Sequence, residues 1–224
     1  MTSSTTDPFQ VPGFPHLSFG TLFCIGRNYA KHAAEMKSEI PETPVVFLKP
    51  RNSIISSGET VRIPNISKNV HHEVEMVVLM GKEADSISPE KAAGKIAAVA
   101  IGIDVTARDL QSEAKKAGLP WSLAKGFRTF APIGNFVSAD DAGNLQNLRV
   151  RVKVNGEERQ SGNTADMIFP VAELVSYLSE HFTLSPGDLI FTGTPEGVSQ
   201  IKPGDIIHAT LGDGLSTLQV HVSE

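Results

Sequence analysis

Residues 70–80 read VHHEVEMVVLM. As a strand this run alternates. Glu73 and Glu75 then share one face, about 7 Å apart along the chain, while Val74, Met76 and Val78 share the other. Two carboxylates side by side in an apolar strand repel each other, and burying them is costly unless a cation neutralises them. Carboxylate oxygens suit a hard divalent ion such as Mg²⁺, Mn²⁺ or Ca²⁺. The plainer alternative is a strand with one solvated face and no metal.

The flanks carry short strands and turns. Before this run, apolar segments at 21–25, 45–49 and 59–63 read as strands, the last two ended by Pro50 and Pro64. Residues 29–36 read as a short helix with Asn28 as its N-cap. Residues 1–15 read as a loose arm. After the run, Ser88-Pro89-Glu90 predicts the start of an Ala-rich helix, capped by Ser88. An apolar strand follows over 99–105, then a helix over 110–117.

Residues 148–154 alternate and meet Asn155-Gly156, a two-residue type I′ hairpin signal, with the return strand over 158–161. A helical period marks 170–181. Pro-Gly-Asp turns at 186–188 and 203–205 feed strands over 189–192 and 206–211, and residues 215–222 close the chain. Many short strands with few helices and no regular βαβ rhythm predict an α+β fold with a mixed or mainly antiparallel sheet, in one domain.

Composition narrows the function. The 224 residues carry a formal net charge of −5, against the sign expected for a phosphate-backbone binder, so nucleic acid is not an expected partner. The single cysteine, Cys24, excludes an internal disulfide and a thiolate metal cage. No basic leader precedes the uncharged stretch 8–26, and no run of about 20 apolar residues occurs, so no membrane partner is expected and the compartment is read as cytoplasmic.

Several further segments can carry chemistry. Asp104 ends the apolar strand and adds a third carboxylate from a second strand, a set that suits Mg²⁺ with positions open for water and substrate. Alone, an acid there would be a cap or turn residue. His32 and Glu35 are three apart on a helix, so they share a face; a carboxylate-held histidine is an oriented general base, although a surface ion pair would look the same. Lys125 sits in an apolar, Gly-adjacent setting. The polar run from Thr106 to Gln111 follows Asp104 directly. Thr194 lies in a Gly/Thr loop that can present backbone N–H groups and a hydroxyl to an anion.

Taken in order, CIGRNYAKHAAEM, VFLKPRNSI, VHHEVEMVVLMG, GIDVTARDLQ, WSLAKGF, NGEERQSGNTADMIF and LIFTGTPEGV resemble the fumarylacetoacetate hydrolase family, specifically its short single-domain branch of acylpyruvases and oxaloacetate decarboxylases or tautomerases. The resemblance runs from about Phe23 to the C-terminus. It implies a mixed β-roll or β-sandwich with flanking helices, a catalytic domain over 21–224 behind an N-terminal arm over 1–20, and a homodimer. It also implies Mg²⁺, or Mn²⁺, on Glu73, Glu75 and Asp104, catalysis by His32, Glu35 and Lys125, and substrate contacts from Arg27, Gln111 and Thr194. Ser199 departs from the family's usual glycine. The implied activity is metal-dependent C–C hydrolysis of acylpyruvates such as acetylpyruvate or fumarylpyruvate. Oxaloacetate decarboxylation or enol–keto tautomerisation at the same site is the alternative, and a non-catalytic binder of metal and dicarboxylate is the rival from another class.

Overall fold

Strand Val74–Met80 is buried on both faces, and both are apolar apart from Glu75, so it lies in the interior of a sheet. The computed structural model describes residues 9–36 and 38–224. In its large sheet the strands run in the order Val45–Lys49, Leu22–Gly26, Leu189–Phe191, Val74–Met80, Ile96–Ile103, Ala131–Ile133 and Ile54–Ser56. Val137–Ser138 also pairs with Ile96–Ile103. Leu189–Phe191 is parallel to Leu22–Gly26, and Ala131–Ile133 to Ile54–Ser56; the other pairs are antiparallel, so the sheet is mixed.

The period-2 rule sorts the side chains onto two cores. Val74, Met76 and Val78, with Val99, Ile101 and Ile103, face a second sheet and the helix Val171–His181. That second sheet runs Glu157–Asn163, Arg149–Val154, Ile206–Leu211, Ser216–Ser223 and Thr60–Arg62. Val77 and Leu79, with Ala98 and Ala100, face the other way and pack with Cys24, Leu189 and Phe191. The result is a single-domain α+β fold of curled sheets with few helices, as the strand count predicts.

Four expectations need correction. First, the 70–80 run is two strands. Val70–His72 pairs with Thr106–Ala107 and Ser199–Gln200 in a small separate sheet, and Val74–Met80 joins the large one. Glu73 sits at the changeover, where its carbonyl still accepts from the Asp104 N–H at 2.8 Å. Second, the helix expected after Ser88 is only two 3₁₀ turns, Pro89–Lys91 and Ala93–Lys95, and the Ser88 side chain caps neither. Gly94 disfavours a longer helix, and strand Ile96–Ile103 claims the residues after it.

Third, Asn28 is no N-cap. The helix Ala30–Glu35 has Tyr29 at that position, and Asn28 turns inward. Its Oδ1 accepts from the Phe169 N–H at 2.7 Å, and its Nδ2 donates to the carbonyls of Thr192 and Phe169. Fourth, the loose arm expected over 1–15 is partly ordered: Gln10–Val11 pairs with Phe14–Ser18, and Val11, Leu17 and Phe19 cover the second core. Residues 1–8 of that arm lie outside the described residues. The hairpin at Asn155-Gly156 forms as expected, with φ of 52° and 84° giving the left-handed pair a type I′ turn requires. Among the described residues no helix is long and apolar enough to cross a membrane.

Candidate active site

The carboxylates of Glu73, Glu75 and Asp104 come together where the two central strands of the large sheet meet the small sheet. One oxygen from each lies within 4.8 Å of the others, and all three residues are buried. Glu75 stands opposite Gly102 in register. A Cβ at Gly102 would come within 2.6 Å of the Val77 side chain, so glycine lets these strands pack closely.

Three cations face the three acids. Lys125 Nζ donates to Glu73 Oε2 at 2.9 Å, to Asp104 Oδ2, and to the Thr106 hydroxyl at 2.7 Å. Arg108 donates to Glu73 Oε1 and, at 2.6 Å, to Gln111 Oε1. Lys49 Nζ gives its three protons to the carbonyls of Val105, Lys125 and Phe130, at 3.0, 2.5 and 2.8 Å. Its contact with Asp104 Oδ1 at 2.8 Å is therefore ionic without being a hydrogen bond. Asp104 Oδ1 is left as a buried acceptor with no donor.

These environments push the acids apart. Burial raises Glu73, but Lys125 and Arg108 outweigh it and hold the carboxyl well below its usual range. Glu75 has the opposite balance: burial, then the charges of Asp104 and Glu73, push it well above that range, and the Gly193 N–H at 2.7 Å does not offset them. Gly193 has a φ of +98°, and a Cβ there would meet Asn28 at 2.6 Å, so the donor position requires glycine. Burial alone would lower Lys125, yet Asp104 and Glu73 hold it above the ordinary lysine value. An orphaned carboxylate oxygen, an acid forced toward its neutral form and an all-oxygen donor set fit a divalent cation.

His32 is buried on the short helix Ala30–Glu35, with Nδ1 3.3 Å from Glu35 Oε2. Glu35 also accepts from the Gly197 N–H at 3.1 and 3.2 Å, which ties the helix to the loop carrying Thr194. Gln160 fixes that loop from below. Its Nε2 donates to Thr194 Oγ1 and the Pro195 carbonyl, each at 2.8 Å. Its Oε1 takes the Val74 N–H and pairs with His72 Nδ1, whose Nε2 meets the Ser199 hydroxyl at 2.8 Å. Ser199, the departure noted in the sequence, is thus built into the hydrogen bonding behind the loop.

Seven of the nine site residues expected from the sequence line one small cleft: Arg27, His32, Glu73, Glu75, Gln111, Lys125 and Thr194. The other two stand just behind it, Asp104 against Lys125 and Glu35 against His32. The structure adds Lys49, Arg108 and Gln160, which the sequence did not single out. Arg108 had a usable signal, since it lies three residues before Gln111 on the helix Arg108–Ala117. Lys49 had a weaker one, as a lysine closing an apolar strand.

A stability consequence arises next to the acids. Burial, then the Arg108 cation, lower His71 to about 4, and burial also lowers His72. Both are held neutral in the fold, while an unfolded chain takes up their protons near pH 6.5. Their contribution is therefore complete above pH 6.5 and is lost as pH falls toward 4. The urea midpoint is expected to drop between pH 7 and 5, and His71→Gln is expected to flatten that slope. A slope identical to wild type would mean that His71 does not change its proton occupancy on unfolding.

Residues 21–223 match the family model described as fumarylacetoacetate (FAA) hydrolase C-terminal. Oxaloacetate tautomerase FAHD1, mitochondrial, from Bos taurus is 45% identical over 195 residues, covering 87% of this chain and 88% of that protein. Oxaloacetate tautomerase YcgM from Escherichia coli is 42% identical over 198 residues, 88% of this chain and 90% of that one. Among solved structures, fumarylpyruvate hydrolase from Pseudomonas aeruginosa in complex with Mn²⁺ and pyruvate superposes with a TM-score of 0.88 at 38% identity, covering 92% of this chain and 91% of that chain.

Proposed function

The chain belongs to the fumarylacetoacetate hydrolase family, and from that membership we propose a divalent-metal-dependent enzyme that interconverts the enol and keto forms of oxaloacetate. The observation that carries the reading is His32, held by Glu35 behind it, on the wall of the cleft at which the acidic triad gathers. Tautomerisation moves a proton between C3 and the 2-oxo oxygen: it needs a group that gives or takes the C3 proton while the oxygen's proton is exchanged with solvent, and no attacking water. The oxaloacetate tautomerases from Bos taurus and Escherichia coli support this order of readings over the hydrolysis that the motifs alone put first.

Mg²⁺, or Mn²⁺, would be held by Glu73, Glu75 and Asp104, and supplies Lewis-acid stabilisation of negative charge on the substrate's 2-oxo oxygen. Thr194 contacts the carboxylate of the 2-oxo acid group, and Arg27 and Gln111 make further contacts to the substrate. His32 moves the C3 proton, and Glu35 orients the ring and offsets the imidazolium charge. Lys125 stays cationic and adds fixed positive charge beside the developing enolate. We assign this chemistry to residues 21–224, with 1–20 leading into them, and place the enzyme in the cytoplasm as a homodimer.

A second reading has its own support. The Pseudomonas aeruginosa neighbour is a fumarylpyruvate hydrolase. In that reaction the same His32 would take a proton from water, and the water would attack the acyl carbonyl of a 2,4-dioxo acid to release pyruvate. Decarboxylation of oxaloacetate would pass through the same enolate. The test is one assay series on Mg²⁺-loaded protein with oxaloacetate, acetylpyruvate and fumarylpyruvate, following loss of the enol and release of pyruvate separately. Enol loss from oxaloacetate without pyruvate is the expected result. Pyruvate from the acylpyruvates would make it a hydrolase, and pyruvate with CO₂ from oxaloacetate a decarboxylase.

Glu73→Ala is expected to abolish both the calorimetric heat of Mg²⁺ binding and turnover. Full activity of the wild-type protein after EDTA treatment would reject the metal-dependent scheme.

A further inference from the structure

At the floor of the cleft Lys49, Lys125 and Arg108 pair with Glu73 and Asp104, but two more cations line its walls without an ion-pair partner. Lys115 follows Arg108 and Gln111 on the helix Arg108–Ala117 at intervals of three and four residues, so all three share a face, and all three line the cleft. Among the described residues neither Lys115 nor Arg27 has a carboxylate within ion-pair distance. Arg27 has a φ of +60°, uncommon for a residue with a side chain, and its Nε is buried without a hydrogen-bond acceptor.

Lys115 is not loosely solvated. Its ammonium lies 5.0 Å from the centre of the Trp121 ring; that ring packs against Phe47 and lines the cleft, where a Cβ added at Gly26 would meet it at 3.2 Å. Partial burial, then the Arg108 and Arg27 cations, lower Lys115 to about 8. Like charges gathered at one mouth are unfavourable until an anion arrives between them.

We propose that Lys115, with Arg27 beside it, is a specificity-determining residue that binds a second carboxylate of the substrate, at the end remote from the 2-oxo acid group. The inference rests on the reading of the cleft as a 2-oxo acid site, and narrows its substrates to those with an anionic far end. Oxaloacetate has such a group; its 4-methyl ester keeps the same reacting atoms and lacks the charge.

The experiment measures kcat/KM of the Mg²⁺-loaded enzyme for both compounds, in wild type, Lys115→Met and Lys115→Arg. Lys115→Met is expected to lower the ratio of oxaloacetate to ester about tenfold or more, chiefly through KM for oxaloacetate, because a charge-assisted bond to carboxylate is lost. Lys115→Arg, which keeps the charge, is expected to restore most of it. If Lys115→Met does not fold, Lys115→Gln is read in the same way.

A ratio within twofold of wild type in the neutral variants overturns the proposal and leaves Lys115 as a prop for Trp121. Failure of Lys115→Arg to recover the ratio also overturns it, since the loss would then be one of shape. If the wild-type enzyme turns over neither compound, the oxaloacetate reading fails instead, and that outcome is distinct from the other two.

Discussion

Lys125→Met is expected to lower the free energy of unfolding by about 3–5 kcal/mol, the usual cost of removing one partner from a buried charge cluster. Lys125 is 1% exposed, and its ammonium is the group shared by Glu73, Asp104 and Thr106. Methionine fills much the same space, so the loss is electrostatic and not one of volume. Without the ammonium, Glu73 keeps Arg108, but Asp104 keeps only Lys49, whose protons are already committed to three carbonyls. Folded domains are stable by about 5–15 kcal/mol in total, so the variant should be marginal.

Urea denaturation without divalent metal, at neutral pH, measures the loss. Excess Mg²⁺ is then expected to recover part of it, because a ligand that binds only the folded state raises stability by mass action. A loss below about 1 kcal/mol would mean that water reaches these carboxylates and that the cluster is worth little more than a surface ion pair.

The carboxylates of this cluster were legible in the sequence because each sits in a pattern that exposes it. Glu75 interrupts an otherwise apolar strand, and Asp104 follows directly on one, so burial and charge conflict at both positions. Of the cations only Lys125 stood out, in its apolar, Gly-adjacent setting. Lys49 and Arg108 are joined to the acids only by tertiary approach, and an isolated lysine at a strand end looks like any solvated terminus. The break at Glu73 was hidden for a related reason. Alternation carries on unchanged from Val70 to Met80, and period 2 records which face a residue takes but not which neighbouring strand it pairs with.

Local signals misled where tertiary partners outbid them. Asn28 has good N-cap chemistry, yet three bonds to Phe169 and Thr192 claim its side chain. Ser88-Pro89-Glu90 is a sound helix start, but the residues beyond Gly94 gain more by joining the central sheet. The Asn155-Gly156 turn was readable because its φ requirement is local and only a few residue types meet it. Elements set by local backbone chemistry therefore came through, and those set by competition for partners did not.

The other large effect concerns rate, not stability. His32→Ala is expected to lower kcat by about 10²–10⁴, the range typical of losing a positioned acid–base group. Mg²⁺ binding should persist, because His32 is not among the three carboxylates that would hold the ion. Glu35→Gln should cost less than His32→Ala. The amide can still accept from the Gly197 N–H, but it cannot balance an imidazolium, and it can turn its NH₂ toward Nδ1 and select the wrong tautomer. On the proposed roles, in which Glu35 works through His32, the double variant should be little slower than His32→Ala alone. Additive losses would mean that Glu35 touches substrate in its own right. A protein that only binds metal and dicarboxylate would show no rate to lose, so turnover of the wild-type enzyme above its His32→Ala variant separates catalysis from binding at this cleft.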